Sequence, residues 1–294
     1  MYYNQVMQSL LECVQGAEKS HTAIGHFNVS TLDMVWAIVK GAEAVGVPVI
    51  IGASEGERDF MGASAVRALI DSIKKSSGQE IYLNADHTYS FDRAKEVIDL
   101  GYDSIVIDGA KLSWDDNIAL TKKVVEYANS VGSNIIVEGE LGYIGQSSKI
   151  LDAIPDGANV SEGSLTTVAQ AVEFVEKTGV KMFAPAIGSI HGMLRTGSDP
   201  DLNIKRITEI NDAVSVPLVL HGGSGLTEEN FRKGIAAGIS VVHVSTELRA
   251  AWTKALTLFL QQNPDEVAPY KILKSAQQAV QKAVEEKLRL FNNL

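Results

Sequence analysis

The sequence predicts a (β/α)₈ barrel: eight short β-rich apolar runs end in small or polar residues, segments of helical periodicity separate them, and glycines close several of those segments. Parallel strands covered by helices on their outer face read as continuous apolar runs, as these do. Eight such units close into a barrel more naturally than they spread into a doubly wound open sheet, the alternative reading.

The first run is AIGHFNV from Ala23, and Leu32, Val35, Trp36 and Val39 after it share one helical face. PVIIGAS from Pro48 and EIYLNAD from Glu80 follow; Phe91, Ala94, Val97 and Ile98 then repeat the helical spacing, which Gly101 ends. SIVIDG from Ser104 is the fourth run and NIIVEGE from Asn134 the fifth. Gly179 closes the helix before KMFAPAI from Lys181, and PLVLHGG from Pro217 and SVVHVST from Ser240 complete the set. A helix from Thr246 to Gln262 and an amphipathic stretch from Lys271 to Phe291 then pack outside the barrel, as a dimer support or as a solvated cap. With 294 residues, 45% hydrophobic and 21% charged, and no low-complexity linker, residues 1–294 are read as a single domain.

Charge and cysteine usage narrow the function. Against 26 basic residues stand 36 acidic ones, a net charge of -10, and no stretch gathers Lys and Arg into a stripe that would neutralise a phosphate backbone. Nucleic acid is therefore not an expected partner. The single cysteine, Cys13, lies among Leu10, Leu11 and Val14 and reads as a buried structural thiol, in keeping with a reducing cytoplasm. MYYNQVMQSLLECVQ lacks the basic and apolar regions of a signal peptide, and no window approaches the ~20 apolar residues of a membrane span, so a soluble cytoplasmic protein is expected.

Barrel enzymes build their sites at the C-terminal ends of the strands. There this sequence places Asp86 and His87 on the third strand, Asp108 on the fourth, Glu138 and Glu140 on the fifth, His191 after the sixth, His221 on the seventh and His243 on the eighth. Singly, each histidine reads more readily as a hydrogen-bonded structural residue; convergence on one rim reverses that. Three neutral imidazoles with an open fourth position make a catalytic Zn²⁺ site, and His87, His191 and His221 are the expected ligands. Co²⁺ and Mn²⁺ also suit such a set. The glycine-rich turns SIHG (Ser189–Gly192) and HGGSG (His221–Gly225), with VSTE entering a helix through Ser245 and Thr246, form the expected phosphate site, one substrate's length from the metal.

At this point the residues resemble the class II, zinc-dependent ketose-bisphosphate aldolases, the family of the fructose- and tagatose-1,6-bisphosphate enzymes. The resemblance spans nearly the whole chain, through AIGHFNVSTLDM, PVIIGASEGERDFMG, NADHTYSFDRAKEVIDLGYDSIVIDGA, VEGELGYIG, APAIGSIHG, PLVLHGGSGL and VSTELRAAW. It implies zinc on His87, His191 and His221, an additional metal-site carboxylate at Glu140 and an acid/base at Asp86. It also implies phosphate contacts at Gly192, Gly222, Gly223, Ser224 and Thr246, with Asn28 and Ser54 lining the substrate pocket. The implied activity is reversible cleavage of a ketose bisphosphate, fructose before tagatose, to dihydroxyacetone phosphate and an aldehyde phosphate. One catalytic Zn²⁺ per subunit, room for a second metal or monovalent cation, and a homodimer or homotetramer come with the family. Lys111 and Lys181 read as solvated charges, not as Schiff-base nucleophiles.

Three departures from the family pattern stand out. GYIGQSSKILD has Ser148 where the family's loop carries a glutamate that moves a proton. His243 replaces an Asn that hydrogen-bonds the reacting half of the substrate; its ring is expected to donate as the amide would, and to gain charge near neutral pH. The distal-phosphate motif DPR becomes APY, with Tyr270 in place of Arg, whereas Arg249, after STEL, matches another basic position that the resemblance implies for that phosphate and is retained. These leave two further readings, an aldolase for a different distal end and a non-catalytic phosphosugar sensor. A barrel metallohydrolase explains neither HGGSG nor STEL.

Overall fold

The computed structural model describes residues 8–146, 148–196 and 199–294. Residues 1–7, part of the stretch read as lacking a signal peptide, lie outside them, as does Ser147 of the loop with the missing glutamate. Eight parallel strands form a closed barrel: β1 (Ile24–Asn28), β2 (Val49–Ala53), β3 (Ile81–Thr88), β4 (Ser104–Ile107), β5 (Ile136–Leu141), β6 (Met182–Pro185), β7 (Leu218–Leu220) and β8 (Ile239–Val244). They follow one another in sequence order, and β8 closes on β1 through pairs such as His26 with His243. Each expected run supplies one strand; six runs extend past their strands because their last residues have already turned into the loops above the barrel, whereas β3 and β5 continue beyond theirs to Thr88 and Leu141.

Around the barrel run α1 (Leu10–Ser20), α2 (Leu32–Val45), α3 (Glu55–Met61), α4 (Ala63–Ser77), α5 (Phe91–Asp99), α6 (Trp114–Ser130), α7 (Val168–Thr178), α8 (Ile204–Ala213), α9 (Glu228–Ala236), α10 (Thr246–Gln262) and α11 (Pro269–Phe291). Local chemistry sets their ends. Ser9 with Glu12, and Thr167 with Gln170, form capping boxes, and left-handed glycines stop α2, α4 and α7 at Gly46, Gly78 and Gly179. Among the described residues no helix is long and apolar enough to cross a membrane.

Two helices differ in role from a plain βα repeat. Helix α1 precedes the first strand, and its Leu10, Cys13, Val14 and Ala17 pack with Ile24, Ile50, Tyr82, Ile136, Met182, Val219 and Val241, the lowest inward-facing layer. It plugs the N-terminal end of the barrel, with Cys13 buried as expected and its Sγ 2.9 Å from the Tyr82 hydroxyl. Helix α11 is neither a solvated cap nor peripheral. Val280, Val284, Leu288 and Phe291 are fully buried in the main core, and the helix lies against α2, α9 and β1, in the place of the eighth ring helix. Helix α10 is therefore the element left at the margin, with only Thr246 and Leu248 buried.

Above the apolar floor the barrel interior turns polar. His26, Asn84, Ser104 and Glu138 are all at most 1% exposed, and His26 Nε2 and Asn84 Oδ1 are 3.1 Å apart while Asn84 Nδ2 donates to Ser104 Oγ at 2.7 Å. Gly52 makes room for this layer, since a Cβ there would lie 2.1 Å from His26 Cε1. The His26–Asn84–Ser104 bonds tie β1, β3 and β4 together across this layer and make a base for what lies above.

Candidate functional site

The site begins with an irregularity in β3. Ala85 pairs with Ile105 and Thr88 with Ile107, so three steps on β3 face two on β4, and His87 takes a positive φ of 38°. In a regular strand neighbouring side chains alternate between faces; the extra residue of a bulge lets Asp86 and His87 both reach the barrel mouth. A left-handed conformation is costly for histidine and persists only where its surroundings hold it. Arg58 supplies that hold. Its guanidinium, in a residue 1% exposed, donates to Ala53 O at 2.6 Å, Asp86 O at 3.1 Å and Thr88 Oγ1 at 3.0 Å. Burial lowers its pKa, and no carboxylate among the described residues pairs with it. Sequence reading passed over Arg58 because an arginine after a helix start gives no sign of which backbone it will grip.

His87, His191 and His221 converge as expected, each offering a ring nitrogen within 4.8 Å of the others. The loop carrying His191 is pinned by its N–H to Ile144 O at 2.8 Å and by two-residue strands, Ile150–Leu151 against Met193–Leu194. Gly222 allows the next loop to pass beneath, since a Cβ there, at φ 67°, would meet Ile190 O at 2.3 Å. Carboxylates orient the rings: Asp108 Oδ2 lies 2.9 Å from His87 Nδ1, and Glu138 Oε1 lies 2.7 Å from His221 Nε2. Glu140 Oε2 sits between, 3.3 Å from His87 Nδ1 and 3.5 Å from His221 Nδ1.

The electrostatics are those of a cation site. Asp86, Asp108, Glu138 and Glu140 all meet these histidines, and Glu140 Oε2, Glu138 Oε2, Asp86 Oδ1 and His221 Nδ1 are buried without a hydrogen-bond partner. Burial alone would lower the His87 ring, yet Asp86 and Glu140 hold it well above the usual range; burial opposes His221 likewise, and Glu138 and Glu140 push it up to about 10. His191, lowered by burial and the facing His87 to about 3, stays neutral. The carboxylates thus draw protons onto two imidazoles, and a divalent cation would meet the same demand while satisfying the orphaned atoms. The donor set, imidazole with an adjacent carboxylate, fits zinc.

Asp86 is 4% exposed at the centre of the mouth. Burial would raise its carboxyl, but the His87 charge and the His243 contact hold it well below the ordinary range. Asn28 Nδ2 donates to Asp86 Oδ2 and to Glu57 Oε2, each at 2.9 Å. His243 Nδ1 lies 3.4 Å from Asp86 Oδ1, and its ring is sandwiched between His26 (centroids 3.5 Å apart) and His221 (4.2 Å). Burial and the two neighbouring rings push His243 well below the usual histidine range. The expected charge near neutral pH is thereby corrected: the ring stays neutral because its stack leaves no room to solvate a cation. His26, the lower half of that stack, went unnoticed in a run read only for strand propensity.

A cavity of 270 Å³ opens above these groups. Asn28, Ser54, Asp86, His87, His191, Gly192, Gly222, Gly223, Ser224, His243, Ser245, Thr246 and Arg249 line it, and His221 and Glu140 lie beneath. Ser148 and Gln146 reach the wall where the loop glutamate was expected, Tyr270 is 76% exposed elsewhere, and among the described residues no lysine lines the cavity. Ser224 Oγ accepts from the N–H of Ser245 at 3.3 Å and of Glu247 at 3.2 Å, fastening the glycine loop to the start of α10. The Ser245 hydroxyl is buried without a partner. A helix N-terminus, glycine N–H groups and an unpartnered hydroxyl together offer a cradle suited to an anion.

Residues 8–294 match the family described as fructose-bisphosphate aldolase class-II. A fructose-bisphosphate aldolase of Geobacillus stearothermophilus is 33% identical over 290 residues, 97% of this chain and 96% of that protein. One from Staphylococcus aureus (strain Mu50) is 34% identical over 288 residues, 96% of each. Among solved structures, the YdjI aldolase of Escherichia coli K12 superposes with a TM-score of 0.80 at 29% identity, covering 96% of both chains.

Proposed function

The chain belongs to the class II fructose-bisphosphate aldolase family and is an aldehyde-lyase, and from that premise we propose the substrate, the metal and the residues that act. It cleaves and re-forms the C3–C4 bond of a ketose bisphosphate, fructose 1,6-bisphosphate first and tagatose 1,6-bisphosphate next, giving dihydroxyacetone phosphate and an aldehyde phosphate. One Zn²⁺ per subunit is held by His87, His191 and His221, with Glu140 as the additional carboxylate, in a cytoplasmic homo-oligomer. The observation that carries the reading is the cluster of three imidazoles and orphaned carboxylate oxygens beside Asp86 at the mouth of the barrel.

When bound, the metal supplies Lewis-acid stabilisation for the negative charge left on the dihydroxyacetone phosphate half. The cradle of Gly222, Gly223, Ser224, Ser245 and Thr246, with Gly192 beside it, grips the near phosphate and so fixes the reacting carbons against Asp86. The unpartnered Oδ1 of Asp86 takes the proton of the C4 hydroxyl as the C3–C4 bond breaks and its electron pair stays on C3; in synthesis the same oxygen returns the proton to the aldehyde oxygen. Asn28 holds the other Asp86 oxygen and so aims the free one. His243, neutral and locked in its stack, donates one hydrogen bond towards the reacting half.

Release of glyceraldehyde 3-phosphate from fructose 1,6-bisphosphate, followed by a coupled assay with and without a chelator, tests this function. Turnover that stops on chelation and returns with zinc supports it. Chelator-insensitive cleavage removes the metal from the chemistry, and no cleavage of any phosphorylated ketose leaves the sensor reading.

A further inference from the structure

Glu57 of α3 is 6% exposed and uses both carboxylate oxygens fully. Oε2 accepts from Asn28 Nδ2 at 2.9 Å, Ser54 N at 2.8 Å and Ser54 Oγ at 2.9 Å. Oε1 accepts from Ser30 Oγ at 3.0 Å and from Arg249 Nη2 at 2.5 Å. Among the described residues Arg249 is the only arginine or lysine lining the cavity, and its own positive charge is thus already matched by a buried negative one.

The place of this pair on the rim gives it meaning. The anion cradle follows β7 and β8, the metal ligands follow β3, β6 and β7, and Asp86 marks where the C4 hydroxyl must sit. Carbons beyond C4 therefore run towards the ends of β1 and β2, along the chain of contacts from Asp86 through Asn28 to Glu57 and Arg249. A phosphate at that far end needs uncompensated positive charge. An Arg–Glu pair offers hydrogen-bond donors but no net charge, whereas the near phosphate has a helix terminus and glycine N–H groups of its own.

Building on the aldolase function above, we propose that Glu57 sets specificity at the far end of the sugar: by neutralising Arg249 it makes the enzyme accept ketose 1-phosphates nearly as well as ketose 1,6-bisphosphates. Fructose 1-phosphate and fructose 1,6-bisphosphate are the probes, and the ratio of their kcat/KM values in the zinc-loaded enzyme is the readout. In the parent the ratio favours the bisphosphate by no more than about tenfold, against the much larger preference expected of an unpaired guanidinium facing the substrate. Glu57→Gln keeps an oxygen for Asn28 and Ser54 but turns an amide N–H towards Arg249. It raises the preference for the bisphosphate by about tenfold or more, and Arg249→Gln in that background removes the gain. In the parent background Arg249→Gln changes the ratio less than about threefold.

A parent that prefers the bisphosphate by over a hundredfold, or a Glu57→Gln enzyme with an unchanged ratio, overturns the inference. Should Glu57→Gln fail to fold, Arg249→Gln alone decides: a fall of more than about tenfold in the parental preference means that Arg249 already reads the phosphate. If the zinc-loaded parent cleaves neither sugar, it is the aldolase function that fails; cleavage of both with a ratio above a hundred defeats only the role of Glu57.

Discussion

Asp86 is held by Asn28 on one oxygen and has no hydrogen-bond partner on the other, which His243 Nδ1 approaches to 3.4 Å, so that oxygen is open to a hydroxyl. Asp86→Ala is expected to keep its zinc, because His87, His191 and His221 remain, while kcat falls by ~10²-fold or more. Metal analysis beside steady-state kinetics checks this, and loss of zinc together with activity would make Asp86 a structural residue. Ser148 reaches the cavity wall without a carboxylate, so proton exchange at C3 of dihydroxyacetone phosphate is expected to be slow relative to carbon–carbon cleavage. Ser148→Glu should speed that exchange, as followed by loss of label from C3; an unchanged rate would show that a resident carboxylate such as Glu138 or Glu140 already carries the proton. The histidines and Asp86 were legible in sequence because reactive residues at strand ends are few and share one rim. Glu57, Arg58 and His26 were not, since each acts through a partner distant in sequence: Arg249 lies 192 residues from Glu57.

At the scale of elements, the strands were legible because inward and outward faces are both covered and the runs are apolar throughout. The bulge in β3 was not, because a run of small and polar residues carries no sign of an inserted residue. Its stability rests on Arg58 of α3, which joins the ends of β2 and β3 by gripping Ala53 O, Asp86 O and Thr88 Oγ1. Arg58→Met preserves much of the buried volume but leaves those acceptors unmet and His87 free to leave its φ of 38°. Zinc affinity is expected to fall about 10- to 100-fold, the usual cost of losing a group that orients a metal ligand. Competition with a metallochromic chelator measures it; parental affinity in a folded Arg58→Met protein would mean that β3 holds its bulge unaided. The C-terminal helices show the opposite limit of sequence reading. Periodicity located both, yet which one enters the ring depends on the width of the gap between α9 and α2, a property of the closed barrel.

At the scale of the whole molecule, the barrel spends its interior unequally. Its floor is apolar and plugged by α1, its middle is a bonded polar layer, and its mouth gathers Asp86, Asp108, Glu138 and Glu140 within reach of three histidines. Like charges so close cost folding energy unless a cation or bound protons offset them. A divalent ion that binds the folded barrel and not the unfolded chain therefore adds to global stability, by about 4 kcal/mol at a thousandfold excess over its Kd. For a chain of this size each kcal/mol is worth roughly 2 °C in Tm, so zinc should raise Tm by roughly 8 °C over the chelated protein. His191→Ala is the control that ties the effect to the site. Its imidazole is the neutral member of the triad, and removing it deletes a proposed ligand without removing either partner of the His87–Asp108 and His221–Glu138 pairs. The expected calorimetric result is a parent whose Tm drops on chelation and recovers with zinc, and a His191→Ala protein that melts near the chelated parent under both conditions. A full zinc-dependent rise in His191→Ala would mean that the carboxylates and the other two histidines suffice, and would move the ion away from the His191 loop.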